Sequence, residues 1–254
     1  MKALLQRGLL AAYRAAHATG ILSTPLGRRT FLRAYAAYKS WFDPSIDPLR
    51  AFVREGGWIV DVGANVGHFT LTFARWTGGG GKVLALEPEP DNVAALRDSV
   101  SRAGLGDGVE VVAGAAAERT GIAHLRLNPH NPADHRLAQA GVPVSLYTLD
   151  GLIAERGDPP VSLIKIDVQG AEPRVIAGAE EVLRRCRPAL FIEIDDAALT
   201  EAGSSAAALL QQLDRLGYRP SAAGEPARRL SPADVQAACQ RLGYADFLFL
   251  HESR

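Results

Sequence analysis

Residues 58–67 read Trp58-Ile59-Val60-Asp61-Val62-Gly63-Ala64-Asn65-Val66-Gly67, an apolar run that passes through an acid into a turn bounded by two glycines. From His68 to Trp76 apolar residues recur at helical spacing. A strand, a glycine turn and a helix in that order form the junction at which doubly wound α/β proteins hold a nucleoside, because glycine lets the backbone turn sharply and a ligand approach it closely. Dinucleotide enzymes carry G-x-G-x-x-G there, with the pyrophosphate on the helix N-terminus. Here the pattern is D-x-G-x-N-x-G. An acid in the turn repels a diphosphate and favours a cationic ligand, such as the sulfonium and α-ammonium of S-adenosylmethionine. Methyl transfer is therefore expected over hydride transfer, and an NAD-dependent oxidoreductase is disfavoured.

A second apolar strand, 82–86, ends in Glu87, twenty residues beyond Gly67. An acid at that place can accept both ribose hydroxyls, the logic of nucleotide-binding βαβ units. Downstream, strands at 109–113, 122–127, 144–147, 161–168, 189–194 and 246–251 alternate with helices at 90–103, 149–154, 171–184 and 204–216. The alternation predicts an α/β fold, a doubly wound Rossmann-like, seven-stranded, mostly parallel sheet. Residues 1–50 read as an N-terminal helical extension, broken near Pro25 and ended by Asp43-Pro44 and Asp47-Pro48; residues 51–254 read as the cofactor-binding domain. Gly78–Gly81 reads as a turn and not a phosphate cradle, since no helix follows it.

At 254 residues the chain suits one large α/β domain. Lys and Arg number 28 and so do Asp and Glu, which leaves no net field for nucleic acid. Cys186 and Cys239 stand far apart without metal or redox spacing, so neither a zinc site nor a disulfide framework is indicated. The charge is unevenly placed: residues 1–42 hold seven basic groups and no acid, leaving 21 basic against 28 acidic groups in the remainder. No apolar run reaches the length of a bilayer span, and a cytoplasmic location is expected. The basic N-terminal helices suit packing against the core or peripheral membrane contact. The aromatic cluster Phe31, Tyr35, Tyr38, Trp41 and Phe42 suits an acceptor pocket or a staple to the core. Oligomeric state is not legible.

The segments DVGANVGHFT (61–70), ALEPEPDN (85–92), AAAERTG (115–121), LIKIDVQGAE (163–172) and LFIEID (190–195) together resemble the FkbM family of class I, S-adenosylmethionine-dependent methyltransferases. The resemblance spans about residues 50–250. It implies that Asp61, Gly63, Asn65 and Gly67 form the turn at the methionine moiety, that Glu87 accepts the ribose, and that Glu118 flanks the adenine. It also implies O-methylation of a hydroxyl on a sugar, a glycan or a glycosylated or polyketide natural product. One departure is visible: Gln169 stands where the family commonly has Glu.

Methyl transfer to an alcohol needs positioning, desolvation and removal of one proton. Candidates for the base at the carboxyl edge of the sheet are Asp167, Glu193, His135 and Glu172, with Asp167 first because it ends a strand over the cofactor crevice. Lys165 shares its face of the strand and can pair with Asp167 or Glu193. No metal is assigned; Asp167, Glu193 and His135 are the set that would hold a divalent cation. The competing class is a non-catalytic nucleoside-binding module docked to a membrane or biosynthetic complex.

Overall fold

The computed structural model describes residues 46–128 and 135–253, together with Thr19, Thr24, Gly27, Thr30 and Ala34. The expected N-terminal helices, their aromatic cluster and their basic groups lie outside the described residues, apart from the short 3-10 helix Asp47–Phe52 at the boundary. Among the described residues no helix is long and apolar enough to cross a membrane.

The first strand, β1 (Trp58–Val62), is buried almost throughout, as a central parallel strand covered on both faces must be. It pairs in parallel with β2 (Val83–Glu87) on one side and β8 (Val161–Ile166) on the other. β3 (Val109–Ala113) flanks β2, and β9 (Ala189–Asp195) flanks β8, again in parallel. The sheet continues through β12 (Tyr244–His251), antiparallel to β9, then β10 (Tyr218–Ala222) and β11 (Glu225–Arg229), giving the order β11-β10-β12-β9-β8-β1-β2-β3. This is the expected doubly wound, mostly parallel sheet, but with eight strands in place of seven: β10 and β11 are added at its edge, and the strands expected at 122–127 and 144–147 lie in a separate sheet. The hairpin β10–β11 escaped sequence reading because Arg219, Pro220, Ser221 and the exposed, charged β11 carry no alternating apolar pattern.

Alternation along β1 divides the interior. Ile59 faces a core with Phe73, Leu96, Leu163 and Phe191, covered by α1 (His68–Ala74) and α2 (Pro90–Arg102). Val60 and Val62 face the other core with Ile164, Leu190 and Ile192, covered by α3 (Leu149–Ala154), α4 (Glu172–Ala177), α5 (Glu180–Cys186), α7 (Ala206–Arg215) and α8 (Pro232–Leu242). The single helix expected at 171–184 is two, because the chain turns at Gly178, where a Cβ would sit 2.0 Å from the Ala117 carbonyl oxygen. A short helix, α6 (Asp196–Glu201), follows β9.

Between β3 and β8 the chain builds a second sheet from β4 (Ala115–Ala116), β5 (Gly121–Arg126), β6 (Arg136–Ala138) and β7 (Val142–Tyr147), in the order β4-β7-β5-β6. Arg126 on β5 and Arg136 on β6 both pair with Glu201 of α6, which ties this flap to the carboxyl edge of the main sheet.

Candidate active site

The carboxyl ends of β1, β2 and β8 open into a cavity of about 930 Å³, counted with its open mouth, roofed by Leu125, His135 and Leu137 of the flap. Its floor is the turn Gly63–Val66, and Glu87 and Asn92 stand on one side with Lys165, Asp167 and Gln169 on the other. Gly63 has φ +77°, and a Cβ there would lie 1.9 Å from the Asp167 carbonyl oxygen. Only glycine fits, so this residue locks the β1 turn against the end of β8.

Glu87 is 5% exposed. Its carboxylate accepts from the Asn65 N–H at 2.8 Å, the Glu89 N–H at 2.9 Å and the Asn92 side-chain amide at 3.5 Å. Burial pushes its pKa up to about 7, against the lowering effect of the backbone hydrogen bonds from Glu89 and Asn65. A carboxyl this deep that nevertheless lines the cavity has the chemistry of a ribose acceptor. Asn65, at φ +50°, presents its N–H to that carboxyl and turns its own side chain to the Val66 N–H.

Asp61 was expected to meet the ligand's positive charge in the turn itself. The structure places it one layer back, at 0% exposure and outside the cavity lining. The reason is register: Asp61 lies beside Lys165 across the parallel β1–β8 pair, so both side chains project to the α1 face. There the Lys165 ammonium is 3.5 Å from Asp61 and 3.3 Å from Asp167, and donates to the Gly63 carbonyl at 2.9 Å. The Thr70 hydroxyl of α1 donates to the other Asp61 oxygen at 2.6 Å, and the Phe69 ring centroid is 5.1 Å from the ammonium. The positive charge that Asp61 meets is thus supplied by the protein, and one lysine gathers the strand-end acids of β1 and β8 and the glycine turn.

Asp167 follows β8 directly and lines the cavity. Gln169 holds it from the far side: its amide nitrogen lies 3.3 Å from Asp167 Oδ1 and 3.0 Å from Glu193 Oε1. Glu193 stands behind Gln169 and does not line the cavity. Glu172, the helix acid among the candidates, is 2% exposed and accepts from the Val168 and Gly170 N–H groups, so it fixes the loop backbone. Burial pushes its pKa up to about 7. His135 lines the cavity from the roof, where its Nδ1 accepts from the Asn128 N–H at 3.1 Å. Among the described residues no three or more His, Cys, Asp or Glu side chains gather as metal ligands.

Glu118 falls outside the cavity lining; Arg174 of α4 grips it at 2.6 and 3.1 Å, and those hydrogen bonds hold its carboxyl below the usual range. The cavity wall beyond the end of β3 is instead Gly114, Ala115 and Ala116. Sequence reading missed His68, Phe69 and Asn92 as lining residues. Asn92 had a signal, since Glu89 caps the helix that carries it through the Asn92 N–H.

A family model for the methyltransferase FkbM domain matches residues 61–220. The 31-O-demethyl-FK506 methyltransferase FkbM of Streptomyces tacrolimicus is 34% identical over 161 residues, which cover 51% of this chain and 62% of that protein. The crystal structure of a methyltransferase FkbM from Methylobacillus flagellatus superposes with a TM-score of 0.52 at 18% identity, covering 96% of this chain and 57% of that one. The chain thus spans about three fifths of the length of these relatives. With more than half of its residues, including the glycine turn, Glu87 and Asp167, inside the matched segment, the chain belongs to the FkbM methyltransferase family.

Proposed function

We propose that the protein is an S-adenosylmethionine-dependent O-methyltransferase acting on a hydroxyl of a sugar, glycan or polyketide natural product. The observation that carries this reading is the pairing, across one cavity, of a buried carboxyl suited to a ribose with a strand-end carboxylate held by a lysine and an amide. The residues present fit the cofactor: Glu87 for the ribose diol, the Gly63–Val66 turn for the methionine end, and Gly114–Ala116 for the adenine. When bound, S-adenosylmethionine supplies a methyl group already activated by its sulfonium.

What remains for the chain is to bind, orient and remove a proton. The Phe69, Leu125 and Leu137 side chains give the cavity apolar walls that exclude water, and approximation in such a site lowers the barrier by about 7–11 kcal/mol. Asp167, beside the turn that receives the methionine end, takes the acceptor's hydroxyl proton. Lys165 orients that carboxylate and partly balances its charge. The 31-O-demethyl-FK506 in the name of the relative from Streptomyces supports a natural-product hydroxyl.

The test is calorimetry with S-adenosylmethionine and NAD side by side, followed by a screen of sugars and polyketide alcohols for mass gain of one methyl group. Binding of S-adenosylmethionine alone with methylated product is expected. Binding without product from any hydroxyl acceptor would favour the non-catalytic nucleoside-binding module, and preference for NAD would refute the reading.

A further inference from the structure

We propose that Gln169 is a positioning residue: its amide is a clip that joins Asp167 to Glu193 and occupies the place between two carboxylates that a cation would otherwise fill. The inference rests on the methyltransferase reading above. The backbone gives the first argument. Gln169 has φ +52°, a left-handed conformation that glycine adopts freely and a residue with a Cβ adopts at a cost. The neighbouring Gly170, at φ +97°, has no alternative, since a Cβ there would lie 2.4 Å from the Ala198 carbonyl oxygen. At 169 no such requirement fixes the residue, so a side chain is present against the backbone preference and its use lies at its tip.

The tip gives the second argument. One amide nitrogen stands 3.3 Å from Asp167 Oδ1 and 3.0 Å from Glu193 Oε1, and its two hydrogens suffice for one bond to each. Two carboxylates that share a site repel unless a donor or a cation lies between them. Lys165 meets the Asp167 oxygen on the opposite side, at 3.3 Å. Glu172, a further acid on the same loop, accepts from the Val168 and Gly170 N–H groups and holds the backbone that carries the clip. The amide therefore sets the rotation of the Asp167 carboxylate over the cavity and ties it to β9, without consuming the Oδ2 that faces Lys165.

Gln169→Glu keeps the shape and replaces the donor with a third carboxylate. Manganese(II) titrated into the purified full-length chain, read by water-proton relaxation, is expected to bind this variant at least tenfold more tightly than the wild type. The gain should vanish when Asp167→Asn is added. With an acceptor from the screen, the variant should lose at least tenfold in kcat at pH 8, keep its S-adenosylmethionine affinity within about twofold, and regain turnover as pH falls, because a protonated carboxyl donates again. Equal manganese affinity in wild type and variant, or a kcat profile parallel to the wild type, would overturn the clip. If the variant does not fold, the wild-type Gln169 side-chain amide resonance serves: it must shift in both Asp167→Asn and Glu193→Gln, and constancy in either refutes the proposal. Failure of the wild type to methylate any hydroxyl would instead count against the underlying function, which the manganese comparison does not test.

Discussion

Cofactor binding should be linked to a proton on Glu87. The carboxyl is buried against the Asn65 and Glu89 N–H groups, and its pKa lies at about 7 in the free protein. A ribose diol donates two hydrogen bonds, so it binds the ionised form. At pH 8 Glu87 is almost wholly ionised, whereas at pH 6 only about one molecule in ten is, which weakens apparent affinity about tenfold, or ~1.4 kcal/mol. The assay is calorimetry at pH 6, 7 and 8 in buffers of different ionisation enthalpy, which also counts protons released. At pH 6 close to one proton should leave per ligand bound, and at pH 8 almost none. Adenosine, which carries the ribose but neither the ammonium nor the carboxylate of S-adenosylmethionine, should show the same slope, and Glu87→Gln should flatten it. A pH-independent affinity for adenosine, with no proton released at pH 6, would refute the ribose assignment.

Stability should also depend on pH with a definite sign. Glu87 and Glu172 both rise from an ordinary 4.5 to about 7, so between these values the native state holds protons that the unfolded chain has lost. Stability then falls as pH rises from about 4.5 to 7, by on the order of 3 kcal/mol for each group; urea unfolding of Glu172→Gln should show a shallower decline, and an unchanged slope would contradict it. Lys165→Met leaves the fully buried Asp61 without its cation and should cost about 3–5 kcal/mol in the same assay. Adding Asp61→Asn should recover much of the loss. Asp167→Asn should lower kcat by about 10²- to 10⁴-fold while S-adenosylmethionine affinity stays nearly constant; full turnover would remove Asp167 as the base.

The strands around β1 were legible because the apolar runs at 58–62, 83–87, 161–166 and 189–194 are covered on both faces and so carry little but hydrophobic side chains. The glycine turn and the two strand-end acids were legible for the same reason, as polar punctuation at the close of apolar text. The hairpin β10–β11 and the flap strand β6 were not, since a strand exposed at an edge, or three residues long, has no periodicity to read. Partnership was the larger gap. Local sequence determined that Asp61 is an acid ending a strand, but the neighbour of a strand residue is set by register with a segment more than a hundred positions away. That register alone placed Lys165 beside it and withdrew it from the cavity. Gln169 read simply as a missing charge, and only the approach of β8 to β9 turned it into a donor between two carboxylates. One-dimensional order specifies which groups sit at strand ends, because burial leaves its mark on composition. Which of them meet is decided by the packing of the whole sheet, because hydrogen bonds and ion pairs act over a few ångströms of space, whatever the distance along the chain.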